Sequence, residues 1–156
     1  MAKLILFCGL PGSGKTTLAR KLAEETSAVR LCPDEWMADL DIDLFDEKRR
    51  AKVEALLWKL GKELLTLGQN VILENGLWSR KERDDKRHDA EQLGANTEMH
   101  YLDVPLDELM QRIENRNASG AHATVPITRE QLEKYSKVFE APDERELALF
   151  SKAVVH

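Results

Sequence analysis

The stretch Gly9-Leu10-Pro11-Gly12-Ser13-Gly14-Lys15-Thr16 restricts this chain more than any other. It has the phosphate-loop spacing of glycine, four residues, then Gly-Lys-Ser/Thr. A short apolar run, Lys3 to Cys8, precedes it and reads as a strand. Thr17 to Glu25 follows it and reads as a helix, with Leu18 and Leu22 on one face. Gly9, Gly12 and Gly14 permit backbone angles closed to other residues, so that successive N–H groups turn inward. With the following helix N-terminus they make an anion cradle. The expected nucleotide-binding positions are Gly9, Pro11, Gly12, Ser13, Gly14, Lys15, Thr16 and Thr17. Lys15 is expected against the β- and γ-phosphates of ATP, and the Thr16 hydroxyl on Mg²⁺.

Composition narrows the remaining classes. A chain of 156 residues is expected to form one domain with one core. Its net charge of −5 argues against a protein that coats nucleic acid by bulk electrostatics. No apolar run approaches membrane-spanning length. Met1-Ala2-Lys3 runs directly into the first strand, which predicts no signal peptide and a cytoplasmic protein. Cys8 and Cys32 stand at apolar positions and read as buried free thiols in a reducing compartment.

Further along, Ala28 to Cys32 reads as a second strand, with Asp34 just beyond its carboxyl end, where open α/β sheets bind ligands. Asp34 also suits a helix cap. The acidic run from Asp39 to Asp46 reads as a solvated loop. A long helix is expected from Asp46 to about Leu67, with Val53, Leu56, Leu57, Leu60 and Leu64 facing the sheet and Gly68 as its left-handed cap. Asn70 to Glu74 reads as a buried third strand ending in an acid, a place from which phosphate-loop proteins often hold Mg²⁺ or its waters. Glu74 therefore joins Thr16 as a candidate metal residue. Ser79 to Glu82 is a capping box opening a helix to about Leu93. Its many charges, and His88, read as a solvated outer face, with Arg80 and Arg83 as an alternative grip on an anionic acceptor.

Asn96 to Val104 reads as a fourth strand. Pro105 opens a helix with an apolar stripe of Leu106, Leu109, Met110 and Ile113, and with Arg112 and Arg116 on one face. Asn117 to Pro126 is small and polar, a mobile loop by composition. Thr128 to Gln131 is a second capping box. The tail from Pro142 to His156 is ambiguous, with helix formers over Glu144 to Phe150 and a candidate edge strand at Ala153-Val154-Val155. Strands alternating with helices predict an α/β fold, a parallel sheet covered on both faces by right-handed crossovers. The set suits phosphoryl transfer: a cradle for the donor, Asp34 for an acceptor hydroxyl, and two arginines before a segment able to close over the phosphates.

Over nearly its whole length the chain resembles the small phosphate-loop kinases related to the polynucleotide 5′-hydroxyl kinase domain, the AAA_33-type group. Chloramphenicol phosphotransferase and the zeta-toxin-type kinases are more distant relatives. The resemblance rests on Gly9 to Thr16, on Pro33-Asp34-Glu35, on Leu102 to Arg116, and on Val125-Pro126-Ile127. It implies a P-loop NTPase fold of three layers, α/β/α, with a five-stranded parallel sheet and a helical lid at about 112–130. It implies Lys15, Asp34 and Arg116 as catalytic residues: phosphate contact, general base and lid arginine. Arg112 would touch the nucleotide. The chain departs from the pattern at Met37, where such polynucleotide kinases carry an arginine for the substrate's 3′-phosphate. Trp36 beside it reads either as a surface for an aromatic or sugar-like acceptor or as core.

The resulting expectation is an ATP-dependent kinase acting on a hydroxyl of a small molecule. The alternative is a polynucleotide 5′-hydroxyl kinase, with nucleic acid possible as a partner but not favoured. A nucleotide-dependent switch or an acceptor-free ATPase is a third reading. It lacks an Asn-Lys-x-Asp guanine motif, and the chain leaves no room for the second helical domain of a ring ATPase. Neither a membrane partner nor a particular oligomeric state is indicated.

Overall fold

The computed structural model describes residues 1–120, 124 and 126–156. Ala121, His122, Ala123 and Val125, within the expected loop and lid, lie outside the described residues. Five strands form one parallel sheet: β1 (Lys3–Cys8), β2 (Val29–Leu31), β3 (Val71–Leu73), β4 (Asn96–Tyr101) and β5 (Lys152–Val155). Their order is β2-β3-β1-β4-β5. Leu6 stands beside Leu73 on one flank and Met99 on the other. Successive crossovers leave β1 in opposite directions, so a crevice opens at its carboxyl end, the position where open α/β sheets bind ligands.

Burial on both faces explains the continuous apolar reading of β1. Alternate side chains enter different layers. Leu4, Leu6 and Cys8 join Leu57, Trp58, Leu65, Leu73 and Met99 on one side. Ile5 and Phe7 join Ala19, Ile72 and Leu102 on the other. The first side is closed by α3 (Glu47–Thr66) and α4 (Arg80–Gln92), the second by α1 (Lys15–Thr26). Between β2 and α3 lies the short α2 (Pro33–Asp39); α5 (Leu106–Ser119) and α6 (Arg129–Val138) pack on each other through Leu109, Ile113 and Leu132. The tail resolves into α7 (Glu144–Leu147) followed by the edge strand β5.

Local signals placed the helix ends. The Asp46 side chain accepts from the Arg49 N–H at the start of α3. At its end Gly68 has φ +84° and the Gln69 N–H reaches back to the Leu64 carbonyl at 2.9 Å. Ser79 caps α4 and Thr128 closes a reciprocal capping box on α6.

Three expectations are corrected. Leu56 does not face the sheet: it is 66% exposed, because the buried face of α3 runs through Val53, Leu57, Trp58, Gly61 and Leu65 and leaves Leu56 outside that stripe. Helix α5 continues through Ser119, past the expected loop start at Asn117. The Asn117 amide donates to the Ile127 carbonyl at 3.1 Å, and Gly120, at φ +62°, ends the helix instead. Finally, α4 is not wholly solvated. Arg83 is completely buried and forms a two-pronged pair with Glu146 of α7, at 2.6 and 2.9 Å.

That pair ties α4 to the tail. Arg83 Nη1 also donates to the Leu77 carbonyl at 2.9 Å. Leu77 is itself buried and has φ +49°, a left-handed conformation uncommon for a side chain of its size. Arg83 thus steadies the strained turn between β3 and α4. Arg83→Ala should cost about 3–5 kcal/mol in denaturant unfolding, because it strands a buried carboxylate. Arg83→Met combined with Glu146→Leu should recover most of that loss; an equally unstable double variant would show that the Leu77 bond, not the charge pair, dominates.

Candidate active site

The loop Gly9–Thr16 follows β1 and opens α1. Gly12 and Gly14 have φ +82° and +97°. A Cβ on Gly12 would lie 2.9 Å from Ile113 Cγ1, so the loop can bend beneath α5 only without a side chain there. The Lys15 ammonium folds back into the loop and donates to the carbonyls of Gly9 at 2.9 Å and Leu10 at 3.2 Å. Burial pulls this lysine down to about 8, against the charge of Asp34, the largest of the influences that raise it. Ser13 Oγ is buried and has no hydrogen-bond partner. A concave loop of backbone N–H groups, a desolvated ammonium and an unpartnered hydroxyl suit a polyphosphate, whose oxygens accept from all three.

At the second residue of α1, Thr16 Oγ1 donates at 3.2 Å to Oε1 of Glu74, which follows β3 directly. Glu74 is buried, and burial raises its carboxyl while Arg30 of β2 opposes the shift. Arg30 reaches Glu74 at 2.6 Å and Glu35 at 3.1 Å, and Glu35 also pairs with Arg20. A hydroxyl beside a carboxylate is the all-oxygen donor set that Mg²⁺ takes. The Cys32 sulfur lies within 4.8 Å of the ligand atoms of Glu35 and Glu74. Burial lifts its thiol to about 12, so it stays protonated and serves as packing.

Asp34 sits in the first turn of α2 with its carboxylate half-exposed, and Arg50 of α3 donates to it at 2.6 Å. From the opposite side comes α5. Arg112 Nη1 donates to the Ser13 carbonyl at 3.2 Å, while Nη2 pairs with Glu108 at 2.7 Å. Arg116, one turn on, is partly buried; its Nε has no hydrogen-bond partner. Burial lowers its guanidinium, and Asp34 is the charge that opposes this. Asp34 thus acts electrostatically on both Lys15 and Arg116, which come from two other elements. The Arg116 fork is not committed to any described carboxylate.

Not every expected residue joins the site. Arg83 is in the core with Glu146, so it cannot grip an acceptor, and Arg80 pairs with Asp84 at 3.4 Å on the surface. Met37 is fully buried. Trp36 is 45% exposed, so it is not core. Three residues that sequence reasoning missed do contribute. Arg50 holds Asp34, and Arg30 neutralises Glu74. Trp78, on the turn beyond β3, donates from Nε1 to the Gly9 carbonyl at 3.3 Å and packs on Tyr135 of α6, ring centroids 5.0 Å apart. Only Trp78 had a legible hint, a large aromatic immediately before a capping serine.

Comparison with known proteins agrees with this fold. The AAA_33 family model, described as an AAA domain, matches residues 4–142. No relative among curated proteins matches the chain. Among solved structures, a Chloroflexus aurantiacus j-10-fl protein provisionally described as a kinase is 21% identical, with TM-score 0.76 over 99% of this chain and 86% of its own. Chaetomium thermophilum Kti12, in complex with ADP-AlF3, is 19% identical, with TM-score 0.74 over 98% of this chain and 88% of its own. A component of the Pnkp1/Rnl/Hen1 RNA repair complex is 25% identical, with TM-score 0.73 over 88% of this chain and 43% of its own. With its glycine loop, parallel sheet order and matched span all in agreement, the chain belongs to the AAA_33 family and has the P-loop kinase fold.

Proposed function

We propose that this protein is an ATP-dependent kinase that transfers the γ-phosphoryl group to a hydroxyl of a small-molecule acceptor. One observation carries the reading: the Gly9–Thr16 loop holds the desolvated Lys15 ammonium on its own carbonyls, with the buried Ser13 Oγ unpartnered in the same loop. The Asp34 carboxylate acts electrostatically on both Lys15 and Arg116, which supports it as the base. Asp34 accepts the acceptor's proton as its oxygen forms the new bond to phosphorus. The bond from the γ-phosphorus to the β,γ-bridging oxygen breaks, and ADP leaves with that electron pair. Lys15 exchanges its carbonyl partners for phosphate oxygens, and Arg116 stabilises charge on the group in transit. Thr16 and Glu74 would hold Mg²⁺, which when bound neutralises charge on the β- and γ-phosphates. Residues 112–130 serve as the lid of a single domain spanning 1–156, with Arg112 on the nucleotide side.

Met37 favours a small acceptor over a polynucleotide, because its buried thioether offers a substrate phosphate nothing. The test is transfer of labelled γ-phosphate across polyols, sugar derivatives, nucleosides, antibiotics and 5′-hydroxyl oligonucleotides. On the best acceptor, Arg116→Ala should lower kcat by about 10³ or more, the scale of a transition-state arginine. An effect confined to KM would make Arg116 a ground-state contact. ATP hydrolysis indifferent to every acceptor would overturn the kinase reading.

A further inference from the structure

A second concavity lies along α3, the helix that carries Arg50. It is a groove of about 560 Å³ between α3 and α4, with Glu54, Trp58, Lys59, Lys62, Asn75 and Lys86 among its walls. It begins at the catalytic edge: Asn75 follows Glu74 directly, and Glu54 lies one helical turn beyond Arg50, the partner of Asp34. Its walls carry both signs. Burial holds the Glu54 carboxyl above its usual range, and Arg50, Glu82, Lys86 and Asp34 all act on it, Glu82 lining the groove as well. Further along α3 the ammonium groups of Lys62 and Lys86 lie 6.0 and 5.4 Å from the Trp58 ring centre. No described carboxylate forms an ion pair with Lys59, Lys62 or Lys86. The indole attracts both ammonium groups, and an anion joining them would offset their mutual repulsion.

A second, independent observation points to a ligand. Asn75 is only 5% exposed and lines the groove, yet its Oδ1 has no hydrogen-bond partner. A buried acceptor left unmatched costs about 1–3 kcal/mol, and a ligand hydroxyl would satisfy it. From Arg50 to Trp58 is eight residues of helix, about 12 Å along the axis. The lysines that gather at Trp58 are therefore about 12 Å along α3 from the partner of the proposed base.

We propose that this groove is the acceptor site, and that the acceptor is a polyhydroxylated molecule with an anionic far end, a sugar phosphate or a sugar acid. The assignment rests on the kinase reading above. Hydroxyls donate to Asn75 Oδ1 and the Glu54 carboxylate, the anion meets Lys59, Lys62 and Lys86, and the near hydroxyl is presented to Asp34.

The indole N–H of Trp58, which donates to Asp89 at 2.9 Å, provides a local NMR probe, assigned with Trp58→Phe. The full chain is titrated with glucose-6-phosphate, glucuronate, glucose and a 5′-hydroxyl oligonucleotide, and separately with ATP. The expected result is a saturable shift of the Trp58 signal with one or both anionic sugars and a much weaker one with glucose. Which anion acts distinguishes phosphate from carboxylate. Lys62→Gln with Lys86→Gln should weaken that binding about tenfold or more, as loss of charge-assisted hydrogen bonds does, while Lys62→Arg retains it. A Trp58 signal that ignores both anions, responds equally to glucose, or responds only to the oligonucleotide overturns the proposal. The Gly14 amide reports ATP in the same sample. If Gly14 responds and Trp58 does not, the groove assignment fails and the kinase reading stands. If Gly14 ignores ATP, the kinase reading fails, and the acceptor assignment with it.

Discussion

Lys15→Ala is expected to abolish nucleotide-dependent turnover, lowering kcat/KM by about 10³ or more, while the protein remains folded. The ammonium carries no partner that the fold requires, since its two bonds go to carbonyls of its own loop. Its loss therefore falls on ligand binding rather than on the core. The environment adds a pH signature. Burial holds Lys15 near 8 in the free protein, and only the protonated form attracts phosphate. ATP affinity should decline as pH rises through 8, because binding must then restore a proton, and the Lys15→Ala variant should lose that dependence. Calorimetry in buffers of different ionisation enthalpy reads the proton directly. Wild-type turnover in the alanine variant would remove the cradle from the mechanism.

Asp34→Asn should slow transfer by about 10² to 10⁴, the span associated with a lost general base. ATP affinity should change little. The substitution keeps shape and removes the capacity to take a proton, the pairing with Arg50, and the charge that acts on Lys15 and Arg116. That pair is half-exposed on the Asp34 side, so its loss should cost no more than about 1 kcal/mol of stability. Activity and folding thus separate cleanly. A collapse of ATP binding with intact thermal stability would instead make Asp34 part of the nucleotide site. Arg50→Met sharpens the interpretation: if Arg50 only orients the carboxylate, kcat falls by less than in Asp34→Asn.

The legible parts of this protein share one physical property, which is locality. The glycine loop declares itself because three small residues, a lysine and a threonine must lie at fixed spacing to wrap an anion. The capping box at Thr128 is likewise readable from four adjacent positions, and Gly68 from the left-handed backbone it adopts. The apolar runs of β1 and β3 follow from burial on both faces. The misread parts depend on partners distant in sequence. Arg83 resembles its solvated neighbours until Glu146, 63 positions away, is folded against it. Leu56 fits a helical stripe on spacing alone; only the angle at which α3 settles on the sheet turns it outward. Arg50 and Arg30 look like ordinary surface cations, and nothing in their flanks announces Asp34 or Glu74.

The amino-acid order alone dictated a phosphate cradle between a strand and a helix, and an alternating α/β architecture, because these follow from spacing, small side chains and hydrophobic period. Which acids and bases face one another was decided only by the assembled sheet. Parallel order β2-β3-β1-β4-β5 brings the ends of four strands to one crevice, where an arginine neutralises Glu74, another orients Asp34, and Arg116 pairs with no carboxylate among the described residues. Charge acts through space and not along the chain, so the choice of partner becomes visible only when the chain has folded.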